Sequence, residues 1–474
     1  MEYELELTEG FGSVGRALRF VENRKALDSG SDEVARALGQ AQTARSDELT
    51  VYFALNQFQR RRPYAHLEDG LKRDIKQFFG DYRQAQAAGL ALLMQIADVE
   101  AIERACREAA EHGLGWLETE AEAAHEPTEP GTGAPGTSPR AASLQLDANL
   151  VEQLPALLRV YIGAASAAYG DVRNADLLKI HIGSGKLTLM RFDDFHDQPL
   201  PRLRERVKIK LREQDVDVFR YGDDYEPPFL YRKSRFINEE HPRYPEQVAF
   251  DEALDGLGLF DLSGFGPEPA DLLAGLARHR WEIDGFALIR ARTIPDLDAP
   301  CGRFLTFRQL IECGETQAHT GLANLPTSVD SYNALLALAE QVLDPVVDWF
   351  GMIRLTYGFC SPALARQIRD RKGGPIDPKR DQHAAHERNR VGNLVCERLG
   401  AAADFIVEDE DMLEVAQWLA TNTPFDRLYF YGADRPIHVS YGPEHSRQVV
   451  RMLPGKDDRL IPRVLSLEQF LAAD

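Results

Sequence analysis

The sequence predicts an α+β protein of several domains: a helical N-terminal part, a mixed β-rich middle part and a C-terminal α+β domain with a small antiparallel sheet. Three observations carry this expectation. The 474 residues exceed what one hydrophobic core normally serves. Apolar periodicity is helical before about residue 120 and alternates between strand-like and helix-like stretches afterwards. Between them lies AEAAHEPTEPGTGAPGTSPRAAS, with almost no large apolar side chain, which cannot nucleate a core and reads as a flexible linker. The boundaries follow: a helical domain over 1–120, the linker over 121–143, a mixed α+β domain over 144–295 and a C-terminal α+β domain over 300–474.

In the first part, DVEAIERACREAAEHGLGWLETEAE places Val99, Ile102, Ala105, Cys106 and Ala109 on one helical face. QFQRRRPYAHLEDGLKRDIKQFFGDYRQAQ is locally basic. Arg60, Arg61 and Arg62 precede Pro63, which interrupts the helix, and Lys72, Arg73 and Lys76 follow on the next one. Such a cluster suits a solvated helix face as well as a phosphate contact.

After the linker, VEQLPALLRVYIGAASAAYG reads as a helix. ADLLKIHIGSGKLTLMRFDDF then has two apolar runs flanking Gly183-Ser184-Gly185, a β-hairpin pattern. In PRLRERVKIKLRE, Arg202, Arg204, Arg206, Lys208, Lys210 and Arg212 recur at every second residue, so a strand puts all six on one face. That face could follow the phosphate backbone of double-stranded DNA, or it could guard a sheet edge against aggregation. The net charge of −20 disfavours indiscriminate nucleic-acid binding, so any such site must be local. Five scattered cysteines with no CxxC pair argue against a disulfide framework or a thiolate zinc site. The acidic start MEYELELTEG and the lack of a long apolar run point to the cytoplasm.

The stretch from about Phe11 to Ile289, through YFALNQFQRRRPYAHLEDGLKRDIKQFFGDYRQAQ, ADLLKIHIGSGKLTLMRFDDF and EPPFLYRKSRFINEEHP, resembles the non-catalytic part of bacterial DNA phosphorothioation-associated methyltransferases. The resemblance implies a role in DNA modification or restriction-modification, with other DNA-modification proteins as partners. Methyl transfer is not implied, because GFGSVGR follows too short an acidic segment to be the glycine-rich turn for S-adenosylmethionine.

Beyond Cys301, SYNALLALAEQVLDPVVDWFG reads as a helix that Pro345 should kink or break, and MIRLTYGFCSP as a strand leading to a helix start at Ser361-Pro362. With LGAAADFIV, DMLEVAQWLATN, DRLYFYG and PIHVSY after them, this order is similar to zinc D-Ala-D-Ala carboxypeptidases of the M15 type and their hedgehog-like relatives. The resemblance implies one zinc ion held by His383, Asp404 and His438, with an open position for water, and hydrolysis of an amide or related bond. Three features depart from the family pattern. Asp404 lies twenty-one positions after His383 instead of a few, Cys360 replaces an arginine substrate anchor, and Tyr431 falls where a glutamate base is expected. Asp434 is assigned as the substitute base, with Glu387 as the other nearby carboxylate. His383 and His386, at i and i+3, form an alternative ligand pair, whereas His445 reads as a loop residue.

Overall fold

The computed structural model describes residues 14–25, 32–59, 63–119, 141–170, 172–222, 225–370, 381–455 and 460–472. Arg60 to Arg62 and most of the expected linker lie outside the described residues. The protein is α+β, built as two compact units: residues 1–272 with 284–287, and residues 273–283 with 288–474. Among the described residues, no single helix is long and apolar enough to cross a membrane.

The N-terminal unit contains helices α1 (Val14–Lys25), α2 (Asp32–Leu55), α3 (Asp69–Phe78), α4 (Tyr82–Gln95), α5 (Val99–Glu111), α6 (Ala156–Tyr169) and α7 (Tyr244–Gly256). A six-stranded antiparallel meander follows the order of the chain. Its strands are β1 (Trp116–Thr119), β2 (Ala141–Asp147), β3 (Leu177–His181), β4 (Lys186–Phe192), β5 (Leu203–Lys210) and β6 (Asp215–Arg220). Ala141 to Ser143, the last residues of the expected linker, belong to β2.

The two faces of this sheet differ because side chains alternate along each strand. Leu144, Leu146, Leu178, Ile180, Leu187, Leu189, Val207 and Ile209 bury one face against α5 and α6 (Ala156–Tyr169). From α5, Ile102, Ala105, Cys106 and Ala109 join this core as the periodicity predicts, but Val99 is exposed and Ala101 takes its place. Val99 opens the helix just after the Asp98 N-cap, before the buried stripe begins. The Gly183-Ser184-Gly185 turn joins β3 and β4, whose register pairs His181 with Lys186.

The hairpins β7 (Trp281–Asp284) with β8 (Ala287–Arg290) and β9 (Pro300–Cys301) with β10 (Leu305–Thr306) precede in sequence the main sheet of the C-terminal unit. That sheet comprises β11 (Ile353–Tyr357), β12 (Ala401–Val407), β13 (Arg427–Phe430), β14 (Ile437–Tyr441), β15 (Gln448–Pro454) and β16 (Leu460–Leu465). Their spatial order is β11-β12-β14-β13-β15-β16, antiparallel except for the β13–β15 pair.

One sheet face is apolar. Ala401, Ala403, Phe405, Val407, Leu428, Phe430, Ile437 and Val439 pack with α8 (Val329–Leu338), α9 (Asp344–Phe350) and α10 (Met412–Asn422). The segment carrying Pro345 does not end there. A π-helical stretch, Ala339–Leu343, joins α8 to α9, so Pro345 sits in the first turn of α9, where its missing N–H is least costly. Pro362 likewise opens the helix Pro362–Asp370, and the Ser361 hydroxyl accepts the Leu364 N–H.

Candidate metal centre

The other face of the C-terminal sheet carries a row of polar and aromatic side chains. Tyr357 on β11 pairs with Asp404 on β12, Asp404 with His438 on β14, and His438 with Tyr429 on β13. Directly opposed residues of antiparallel strands share a face, so the register alone brings Asp404 and His438 together. His383 arrives from the loop before β12.

Three donor atoms converge. His438 Nδ1 lies 2.8 Å from Asp404 Oδ1 and 3.2 Å from His383 Nε2, and His383 Nε2 lies 3.3 Å from Asp404 Oδ1. Nitrogen and oxygen ligands held tetrahedrally at about 2.0–2.1 Å from a zinc ion stand about 3.3 Å apart, so this triangle fits one face of such a site. The tautomer fits too. His383 Nδ1 is 2.7 Å from the Gly358 carbonyl, which only accepts, so that nitrogen holds a proton and Nε2 is the ring atom turned inward, the one a metal would take once it is deprotonated. His438 Nε2, on the outer edge of its ring, is buried without a hydrogen-bond partner, so the inner nitrogen makes the ring's polar contacts.

Without an ion the cluster is held by a shared proton, which a bound metal would displace. Burial alone would lower the His383 pKa, but the charges of Asp404 and Asp381 and the bond to Gly358 outweigh it and push the value up to about 9. For Asp404, burial acts upward, yet the two histidines hold the carboxyl well below the usual carboxylate range. Both histidines are buried, while the Asp404 side chain keeps 20% of its exposure, which gives the cluster an opening.

The twenty-one positions from His383 to Asp404 do not displace either ligand, because the loop is tied down at both ends. Gln382 Nε2 donates to the Leu399 carbonyl at 2.7 Å and to Asp426 Oδ2 at 2.9 Å, and Ser440 Oγ donates to Gln382 Oε1. His386 is not part of the cluster; its Nε2 accepts the Gly400 N–H at 3.2 Å. Gly400 starts the turn into β12 at φ +84°, where an added Cβ would lie 2.2 Å from the Tyr441 carbonyl oxygen. His445 is an exposed loop residue.

The remaining assignments separate clearly. Glu387 is fully buried and accepts from the Thr327 and Ser328 N–H groups and from the Thr327 and Ser331 hydroxyls, which fixes the start of α8. Asp434 is exposed on the turn between β13 and β14. Cys360, where an arginine anchor was expected, is buried, with its thiol pushed up to about 12 by burial. Sequence reasoning overlooked Asp381, two residues before His383. Its charge acts on His383, Tyr357, Cys360 and Tyr431, although no spacing pattern marks it. Burial, then the charges of Asp404 and Asp381, raise the Tyr431 phenol, so it stays a hydrogen-bond donor.

Of the six basic residues expected on one strand, Leu203–Lys210 of β5 includes Arg204, Arg206, Lys208 and Lys210. Arg202 pairs with Glu226, Arg204 with Asp193, and Lys210 with both Asp215 and Asp217. Arg206 and Lys208 line a cavity on the polar face of the N-terminal sheet, and Arg212 lies beyond the strand end.

The donor set defines a buried two-histidine, one-carboxylate cluster able to hold a metal ion. Comparison with known proteins finds no matching family model, no matching curated protein and no matching solved structure.

Proposed function

We propose that the C-terminal unit is a zinc-dependent hydrolase of the M15 peptidase type, with His383, Asp404 and His438 holding one ion. It is joined to a DNA phosphorothioation-associated module that acts in bacterial DNA modification or defence. The observation that supports this reading best is the convergence of three potential ligand atoms, two imidazole nitrogens and a carboxylate oxygen, at 2.8–3.3 Å. When bound, zinc supplies Lewis acidity, lowering the pKa of a water and polarising a carbonyl or phosphoryl oxygen. The chain's own residues do the rest. Gly358 fixes the His383 tautomer, Tyr431 presents a protonated phenol where the family has a carboxylate, and Asp381 and Asp434 are the carboxylates proposed to accept a proton.

The test is metal content. Purified protein should carry one zinc per chain by plasma mass spectrometry, and His438→Ala should lose it. Protein without stoichiometric zinc, and a His438→Ala variant matching the parent in metal content and stability, would overturn the reading.

A second reading, a non-enzymatic DNA- or partner-binding accessory with a degenerate M15-like domain, is favoured by the exposure of Asp434 and the burial of Cys360. Arg202, Arg204, Arg206, Lys208, Lys210 and Arg212 would then contact duplex phosphates. Neutralising Arg204, Arg206 and Lys208 should weaken duplex binding and flatten its salt dependence.

A further inference from the structure

The meander of the N-terminal unit has one apolar face in the core. Its opposite face floors a cavity of ≈ 410 Å³, a size typical of small-molecule sites. Charge inside it is unevenly compensated. Lys179 pairs with Glu118 at 3.0 Å, and the Ser143 hydroxyl donates to the same carboxylate at 2.6 Å. Arg206 and Lys208, neighbours on one face of β5, make no ion pair with any described acidic residue. The nearest cross-strand carboxylate, Asp217, opposite Lys208, is engaged by Lys210 at 2.8 Å.

The uncompensated field shows in the neighbouring groups. Burial first, and then Lys179, Lys208, Lys186 and Arg206, depress the His181 pKa to about 3, leaving a neutral ring bonded to the Thr188 hydroxyl. Burial and the charges of Arg206 and Lys186 also lower Lys208. A cavity lined by two cations with no ion pair among the described residues, in a chain of net charge −20, favours an anion.

Aromatic walls narrow the class of anion. Trp116 and Phe229 line the same cavity, each with an arginine against its ring, Arg235 at 5.1 Å and Arg202 at 4.9 Å. Aromatic rings in a cavity wall are stacking platforms for a flat heterocycle, while a guanidinium and an ammonium side by side suit a phosphate.

We propose that this cavity binds a single nucleotide, its phosphate taken by Arg206 and Lys208 and its base stacked against Trp116. The site is independent of the zinc reading. A free 5′-mononucleotide and the 5′-phosphorylated end of a nucleic-acid strand present the same chemistry.

Calorimetric titration of the full-length protein with each of the four 5′-mononucleotides, with the matching nucleosides, with inorganic phosphate and with a 5′-phosphorylated dinucleotide tests it. At least one mononucleotide should bind saturably, at least tenfold tighter than its nucleoside or phosphate alone. Arg206→Gln and Lys208→Gln should each weaken it about tenfold or more, Trp116→Ala should weaken it while the variant keeps the parental melting temperature, and His438→Ala should leave it unchanged. Tighter binding of the dinucleotide would identify a strand end as the source, and weaker binding a free nucleotide. No saturable binding at millimolar mononucleotide, equal affinity for inorganic phosphate, or full affinity in folded Arg206→Gln and Lys208→Gln proteins would overturn the proposal.

Discussion

Gly358→Ala probes whether the metal centre depends on the tautomer of His383, and the structure sets the size of the effect. A Cβ on Gly358 would lie 2.0 Å from the Leu310 carbonyl oxygen and 3.0 Å from its carbon. Ordinary contact begins at 3.4 Å, so the backbone must move by roughly 1.4 Å. That oxygen also accepts the Phe359 N–H at 2.8 Å, so neither side of the clash yields freely. A shift of this size breaks the 2.7 Å bond from His383 Nδ1 to the Gly358 carbonyl. Losing the partner that orients a ligating histidine typically weakens metal binding about 10- to 100-fold. Overpacking and the lost bond together cost about 2–4 kcal/mol of stability. Competition against a chromophoric chelator gives the affinity, and urea unfolding of the metal-free protein gives the stability. A folded variant that loses stability yet binds zinc as tightly as the parent would refute the assignment of His383 Nε2 as a ligand atom.

Three further outcomes are expected. Glu387→Gln weakens four hydrogen bonds at the start of α8, so it should lower stability by about 2–3 kcal/mol while zinc stoichiometry stays at the parental value; loss of zinc in a folded variant would give Glu387 a role at the metal. In metal-free protein the raised His383 pKa contributes stability that is complete below about 6.5 and is lost as pH rises through about 9. Asp381→Asn should move the histidine titration seen by NMR downward, and Asp434→Asn should leave it in place. For His181 the sign is opposite: the unfolded chain binds the extra proton between about pH 6.5 and 3, so stability should fall by a few kcal/mol as pH drops through that window. The loss should be smaller in a folded His181→Gln variant, by urea unfolding from pH 7 to 4.

The sequence pattern made some of this site legible and hid the rest, for physical reasons. Asp404 and His438 stand in alternating β patterns, and alternation determines which residues leave the core face. Ser361-Pro362 marked a helix start because its chemistry is local. Proline chemistry alone did not foresee the π-helical stretch before Pro345, since packing around Leu338, Val342 and Leu343 keeps the segment helical across it.

What escaped depends on long-range contacts. Asp381 belongs to no motif, and its bearing on His383, Tyr357, Cys360 and Tyr431 arises only after a loop and two strands meet. Glu387 is a carboxylate close to His383 in sequence, yet it is spent on four hydrogen bonds from Thr327, Ser328 and Ser331 at the start of α8. The basic strand shows the same principle. Alternation fixes which residues share a face, but cross-strand partners decide which charges remain. Lys210 is matched by Asp215 and Asp217, and Arg204 by Asp193, while Arg206 and Lys208 keep their charge and face a cavity. Positions that look equivalent in sequence therefore differ: Arg202, Arg204 and Lys210 are ion-paired, while Arg206 and Lys208 line a cavity. The residues that test DNA contact and those that test nucleotide binding overlap only at Arg206 and Lys208. Arg204→Gln should then weaken duplex binding without touching mononucleotide affinity, because its carboxylate partner lies outside the cavity lining.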